Sequence, residues 1–271
     1  MRIFEPDVFP YVGQRPIAEI KPLALLEVLR RIEKRGALEK ILKVRQLCGE
    51  VFRYAIITGR AEYNPAPDLA SALVVPKQKH HPFLSVEDLP YFVKDSEGYT
   101  GSIITKNAAK IVMLTGMRTQ EIRFATWGEI DFERGIWEIP AERMKMRRPR
   151  IVSLSTQVVE LFKQLQPITG HYPYIFIGRN NRRKPISKES VNQVIELLGY
   201  KGRATGHGFK HTMSTILHEQ GFDSAWIERQ LAHVDKNGIR GTYNHAQYLE
   251  KRRSMLQFYS EFILKGVKDE L

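Results

Sequence analysis

The seven residues Pro76-Lys77-Gln78-Lys79-His80-His81-Pro82 hold two prolines and no aliphatic side chain. Proline removes a backbone donor and fixes φ, so neither a helix nor a central strand runs through this stretch. It separates two kinds of pattern. Before it, Leu25, Leu26, Leu29 and Ile32 recur at three- and four-residue steps up to Gly36. Leu38, Ile41, Leu42, Val51, Phe52 and Ala55 repeat that spacing and stop near Gly59, ahead of Pro65 and Pro67. Both runs predict amphipathic helices. After the break the pattern is mixed. Ser85-Val86-Glu87-Asp88 has the spacing of a capping box opening a helix. Ile103, Ile104, Ala108, Ile111 and Val112 mark a helix over 102–115. Ile130-Asp131-Phe132 and Ile136–Ile139 flank the turn Glu133-Arg134-Gly135, a hairpin signature, and Arg150–Leu154 supplies a third strand. Further helices are expected at 187–198, 208–220, 224–232 and 244–264. The chain is therefore expected to be α+β and mostly helical, with a helical domain over 1–75, a linker over 76–82 and a second domain over 83–271.

Charge narrows the function classes. The 271 residues carry 42 Lys and Arg against 30 Asp and Glu, a formal net charge of +12. A globular chain this basic suggests a polyanionic partner, most often nucleic acid; a merely basic soluble protein is the alternative. No apolar run approaches the ~20 residues of a membrane span, and no membrane partner is expected. The amino terminus has no long apolar core, so no secretory signal is expected. Cys48 is the single cysteine and reads as a small buried hydrophobe.

Several residues can carry chemistry, each with an ordinary alternative. Arg118 follows Thr115-Gly116-Met117, where a helix stops; such an arginine can present its fork to a phosphate or lie solvated at the surface. Glu121, three residues on, is within ion-pair reach of it. Arg143, Lys145, Arg147, Arg148 and Arg150 place five cations in eight positions beside the hairpin. Arg182 and Arg183 belong to a second basic run. Each run reads as a solvated face or as a DNA-phosphate contact. His207 and His211 lie one helical turn apart, but no H-E-x-x-H glutamate and no third ligand accompanies them, so no metal and no cofactor is expected. His233 ends a helix, and Tyr243 by itself is a packed aromatic.

Order and spacing bind these residues together. T-G-M-R-T-Q-E at 115–121, the hairpin lysine at 145, H-G-F-K-H at 207–211, L-A-H at 231–233 and G-T-Y-N-H-A at 241–246 resemble the tyrosine recombinases, specifically integrases of phages and genomic islands. Val51–Ile56 and Asn64–Asp68 resemble the helical core-binding domain of those integrases, so the likeness covers nearly the whole chain. It implies a partial core-binding domain over 1–75 and a catalytic domain over 83–271, with a small antiparallel sheet carrying Lys145. The implied activity is site-specific cutting and rejoining of DNA. Tyr243 would attack the scissile phosphate and form a 3′-phosphotyrosyl bond. Arg118 would hold the non-bridging oxygens and Lys145 would protonate the leaving 5′-oxygen. His207 and His233 would serve proton transfer and hydrogen bonding, and Glu121 would orient its neighbours. The implied partners are double-stranded DNA attachment sites and a homotetramer assembled on them, and the implied location is a bacterial cytoplasm, nucleoid-associated when bound to DNA. The last helix, with Met255, Leu256, Phe258, Tyr259 and Phe262, packs either on a neighbour or on its own domain.

Three departures stand out. Lys210 occupies a position where the family usually has arginine; the charge stays, but the planar two-pronged donor is lost. Arg150-Ile151-Val152-Ser153-Leu154-Ser155 replaces the common H-I-V-P-L-S. The chain opens on Phe4-Glu5-Pro6-Asp7-Val8-Phe9-Pro10, which resembles the middle of a core-binding domain, so an amino-terminally truncated chain is expected. A truncated prophage-integrase remnant that binds DNA with impaired cleavage is the alternative function.

Overall fold

The computed structural model describes residues 3–74, 82–144, 147–232 and 248–265. The chain divides into two compact units, 1–79 and 80–271; residues 76–81 of the expected linker lie outside the described residues.

The first unit is helical. Two single-turn helices, α1 (Phe4–Asp7) and α2 (Phe9–Val12), precede α3 (Pro22–Lys34) and α4 (Leu38–Ile57). Pro22 sits in the first turn of α3, where its missing N–H costs nothing. Most of the predicted stripe is buried: Leu25, Leu29 and Ile32 on α3, joined by Val28, face Ile41 and Phe52 on α4, joined by Val44 and Cys48, in one core, whereas Leu26, Leu38 and Leu42 are half-buried and Val51 is exposed. Past α4, Asn64 orders the proline-rich segment. Its side chain donates to the Gly49 carbonyl at 3.1 Å and accepts from the Ala66 N–H at 3.1 Å.

The second unit is built around α6 (Ile103–Thr115), eight of whose residues are buried. Ser102 caps it, accepting from the Ile104 N–H at 3.3 Å. α5 (Leu89–Glu97) precedes it. The Ser85 hydroxyl accepts from the Asp88 N–H at 3.2 Å, yet α5 opens only at Leu89. Pro90 lies in its first turn, and proline is best tolerated there, which sets the start later than the capping-box spacing implies. After α7 (Thr119–Arg123), β1 (Ile130–Asp131), β2 (Ile136–Ile139) and β3 (Arg150–Ser153) form an antiparallel sheet in the order β1-β2-β3. Ile130 pairs with Trp137, and Ile139 with Arg150. Gly135, at φ +58°, makes the predicted hairpin turn in the left-handed region.

The rest is helical: α8 (Thr156–Thr169), α9 (Ser190–Ile195) running into a π-turn over Glu196–Tyr200, α10 (Gly208–Glu219), α11 (Ser224–Leu231) and α12 (Leu249–Lys265). The apolar run Tyr174–Ile177 is an irregular connector, whose Ile175 N–H donates to the Ala125 carbonyl at 2.9 Å and whose Ile177 forms an isolated bridge to Pro185. Met255, Leu256, Tyr259 and Ile263 of α12 are buried in the core of their own unit. Phe258 packs against Phe222 with ring centroids 5.2 Å apart and the planes tilted by 53°.

Candidate active site

Gly116 ends α6 in the left-handed conformation, at φ +61°. A Cβ there would stand 2.6 Å from Leu231 and 2.8 Å from the Met213 sulfur. Glycine is thus required twice, by its backbone angle and by the close approach of α10 and α11. The turn it makes delivers Arg118 to the N-cap position of α7. Glu121, three residues into that helix, accepts from the Arg118 N–H at 3.1 Å and pairs with its guanidinium at 3.0 Å. The ion pair expected from the spacing therefore also caps the helix.

Glu121 has a second cation. Arg150, from β3, reaches its other carboxylate oxygen at 2.6 Å. Arg143 donates to the Glu121 carbonyl at 2.6 Å and pairs with Glu129, which in turn accepts from the Trp137 indole at 2.9 Å. These two arginines depart from the expectation that the whole basic run faces a DNA backbone. Arg150 is 8% exposed. It lies on the same strand face as Val152, which turns it inward onto a waiting carboxylate. Arg143 is held by Glu129 and by the α7 backbone. Arg147, Arg148, Arg182 and Arg183 are exposed, and Arg182 donates to the Tyr172 hydroxyl at 2.9 Å.

The carbonyl end of α11 gathers the cations. Arg150 donates to the Gln230 carbonyl. Lys210, from α10, donates to the Leu231 carbonyl at 2.5 Å. Arg118 donates to the Ala232 carbonyl at 3.1 Å. Three consecutive carbonyls at a helix C-terminus, where the helix dipole is negative, thus receive three cations from three different elements. Ala232 turns the carbonyls outward by adopting φ +49°, an uncommon conformation for a residue with a Cβ.

Electrostatics follow from this crowding. Burial pushes the Glu121 carboxyl upward, but Arg150 and the backbone and side chain of Arg118 outweigh it and hold the carboxyl below its usual range. Burial, with the charges of Arg118 and Arg150, pushes the Lys210 ammonium down to about 8. Burial lowers the Arg150 guanidinium, against the support of Glu121; guanidinium nonetheless stays protonated in a protein.

His207 stands at the N-cap of α10, one turn before Lys210, with its ring 5.8 Å from that of His211. Gly208 is fixed by space, since a Cβ there would lie 2.0 Å from the Pro82 carbonyl oxygen. Among the described residues no cluster of three or more metal-ligating side chains occurs, and no helix is long and apolar enough to cross a membrane. Lys145, His233 and Tyr243 lie outside the described residues.

Two residues that sequence reasoning passed over join the site from behind. Gln230, fully buried, accepts from Arg252 through its side-chain oxygen at 2.8 Å and donates to the Thr115 carbonyl at 2.8 Å. Arg252 also donates to the Ile151 carbonyl at 2.8 Å. A sequence signal existed for Arg252: it falls on the same helical stripe as Met255, Leu256, Tyr259 and Ile263. Nothing comparable marks Gln230.

Residues 82–250 match the phage integrase family, and residues 1–72 match the phage integrase central domain. Two relatives align with 98% of this chain and 70% of their own length: an integrase of Shigella phage Sf6, 45% identical, and the prophage integrase IntS of Escherichia coli K12, 46% identical. The fold is similar to that of the chain in a lambda integrase dimer bound to a COC′ core site, with a TM-score of 0.67 and 16% identity over 91% of this chain and 84% of that one. A lambda integrase tetramer bound to a Holliday junction gives a TM-score of 0.66 at 16% identity, covering 86% of this chain and 70% of the other.

Proposed function

Because the chain belongs to the phage integrase family, we propose that it is a site-specific DNA recombinase that cuts and rejoins duplex DNA through a 3′-phosphotyrosyl intermediate. The observation that supports this most is the excess of cations where Arg118 and Lys210 meet the end of α11, immediately before His233. A phosphodiester resists displacement because negative charge repels the nucleophile and accumulates on the equatorial oxygens. Preorganised cations remove that obstacle.

In this reading the Tyr243 oxygen attacks phosphorus, a P–O bond to tyrosine forms and the P–O bond to the 5′-oxygen breaks. Lys145 delivers the proton to that oxygen. Arg118 and Lys210 neutralise the non-bridging oxygens, Glu121, itself paired with Arg150, holds Arg118, and His207 and His233 take up the Tyr243 proton and hydrogen-bond at the phosphate. The bond energy is kept in the phosphotyrosyl ester, so reversal by a 5′-hydroxyl needs no further energy source. The first unit would act as the core-binding domain and the second as the catalytic domain. Arg147, Arg148, Arg182 and Arg183 would contact the DNA backbone. Recombination would assemble four copies on two attachment sites, in a bacterial cytoplasm.

A second reading has its own observation. Lys210 is 4% exposed and its ammonium is held by the Leu231 carbonyl, so it offers a phosphate less than an arginine fork does. A chain that binds DNA and cleaves it poorly fits that geometry. A nicked suicide substrate separates the two. The recombinase reading predicts a covalent protein–DNA adduct with wild type and none with Tyr243→Phe, at similar DNA affinity. Absence of adduct in both supports the binding-only reading, and an adduct with the Phe variant removes Tyr243 as nucleophile.

A further inference from the structure

Gln230, next to the two residues whose carbonyls hold Lys210 and Arg118, is itself hydrogen-bonded to β3, to the end of α6 and to α12. Its main-chain carbonyl receives Arg150 from β3. Its side-chain nitrogen donates to the Thr115 carbonyl, at the last residue of α6 before the Gly116 turn. Its side-chain oxygen receives Arg252 from α12. The next two carbonyls along the chain, of Leu231 and Ala232, receive Lys210 and Arg118. The side chain is wholly buried, and a buried primary amide costs free energy unless its donor and acceptor both find partners. Here both do. The contacts lie at the two ends of the functional geometry: Thr115 is three residues from Arg118, and Leu231 is the next residue after Gln230.

We propose that Gln230 is a positioning residue, which locks the carbonyl end of α11 to the turn bearing Arg118 and so sets the separation of Arg118 from Lys210. Arg252 is its anchor on α12. The inference rests on reading the cluster as the phosphate site. Two charges brought to one phosphate must converge on oxygens of fixed spacing, and a misplacement of about 1 Å can cost on the order of 10²-fold in rate. Without the amide bridge, the Gly116 turn would meet α11 through its close approach to the Leu231 side chain, an apolar contact that resists separation and tolerates sliding. The groups facing Lys210 are Arg118, Arg150, Glu121 and Glu228, so any slide of α11 alters the field at its ammonium.

The test uses the full chain and two variants. Gln230→Met fills the same volume and deletes both side-chain hydrogen bonds. Gln230→Asn keeps an amide but withdraws it by one methylene, and it serves if the Met variant fails to fold. Two quantities are measured: single-turnover cleavage of the suicide substrate, and the titration of Lys210 by the carbon-13 shift of its labelled ε-carbon, assigned by its loss in Lys210→Arg. The expected result is a fall in cleavage of about 10- to 100-fold with DNA affinity unchanged, together with a Lys210 midpoint moved upward toward the ordinary lysine value. A rate loss with an unmoved midpoint would assign Gln230 to general stability and overturn the proposal. So would a rate and midpoint equal to wild type in either folded variant. If wild type itself cleaves nothing, the recombinase reading fails, and the Lys210 midpoint still decides whether Gln230 sets the geometry of the cluster.

Discussion

Each unit buries a carboxylate, and the two are neutralised in different ways. In the first, the Asp7 side chain is fully buried and pairs with Arg35 and Lys40, whose side chains are 56% and 38% exposed. Burial pushes the Asp7 carboxyl upward, and the two cations outweigh it and hold it below the usual range. Any excess positive charge is spread into water. In the second, Glu121 pairs with Arg150, itself 8% exposed, and with Arg118. Lys210 and Arg252 are buried close behind, and their side chains find carbonyls and an amide as partners. Glu121 and Glu228 thus face three cations, Arg118, Arg150 and Lys210, of which Arg150 and Lys210 are buried and cannot disperse their charge into solvent. The first arrangement closes on itself as a structural clasp. The second is left with positive charge that an anion would complete, and a DNA phosphate is such an anion.

That contrast can be broken at either end. Glu121→Gln leaves Arg150 buried against a neutral partner, and removing one member of a buried pair costs about 3–5 kcal/mol. The loss from Asp7→Asn should be smaller, because Arg35 and Lys40 can turn to water. Urea denaturation of both variants measures it, and an equal or larger loss at Asp7 would erase the distinction. Next in size is Lys210→Met, which should raise stability by about 1–3 kcal/mol at pH 7, since exchanging a buried charge for an apolar side chain of similar volume relieves desolvation and repulsion. The gain has a definite pH dependence. Folding lowers the Lys210 ammonium from 10.5 to about 8, so between those values the unfolded chain binds more protons and wild-type stability rises with pH. The advantage of the Met variant should therefore shrink across that window. A constant advantage from pH 7 to 10 would show that Lys210 is not the strained charge. The smallest effect concerns chemistry: Lys210→Arg restores a two-pronged donor at unchanged charge and should speed single-turnover cleavage by roughly 10-fold with little change in affinity. An unchanged rate in an active protein would mean that Lys210 does not reach the phosphate.

How much of this could be read in the chain depends on how far a residue's partners lie along it. The stripe of α3, the glycine turn of the β1–β2 hairpin and the stop of α6 at Gly116 follow from neighbours within a few positions, where periodicity and backbone sterics decide. The Arg118–Glu121 pair was legible for the same reason. The late start of α5 shows two local signals competing, a hydroxyl cap at Ser85 and a proline at Pro90, with the proline prevailing. The carboxylate partners of Arg143 and Arg150 are not legible in the sequence, because an arginine in a basic run looks solvated until its carboxylate is known. Those carboxylates, on Glu129 and Glu121, are 14 and 29 residues away. Gln230 was invisible for the same reason at greater range, its amide meeting Thr115 across 115 residues.

If Arg118 serves the charge of a phosphate, its loss must matter most where that charge is present. Arg118→Ala should slow cleavage of an ordinary suicide substrate by on the order of 10²–10³-fold. On a substrate whose scissile phosphate is a neutral methylphosphonate, one non-bridging oxygen and its charge are gone, so the same variant should lose less than about 10-fold by the same reasoning. Equal losses on the two substrates would show that Arg118 supports the fold or binds DNA elsewhere, and would contradict the account.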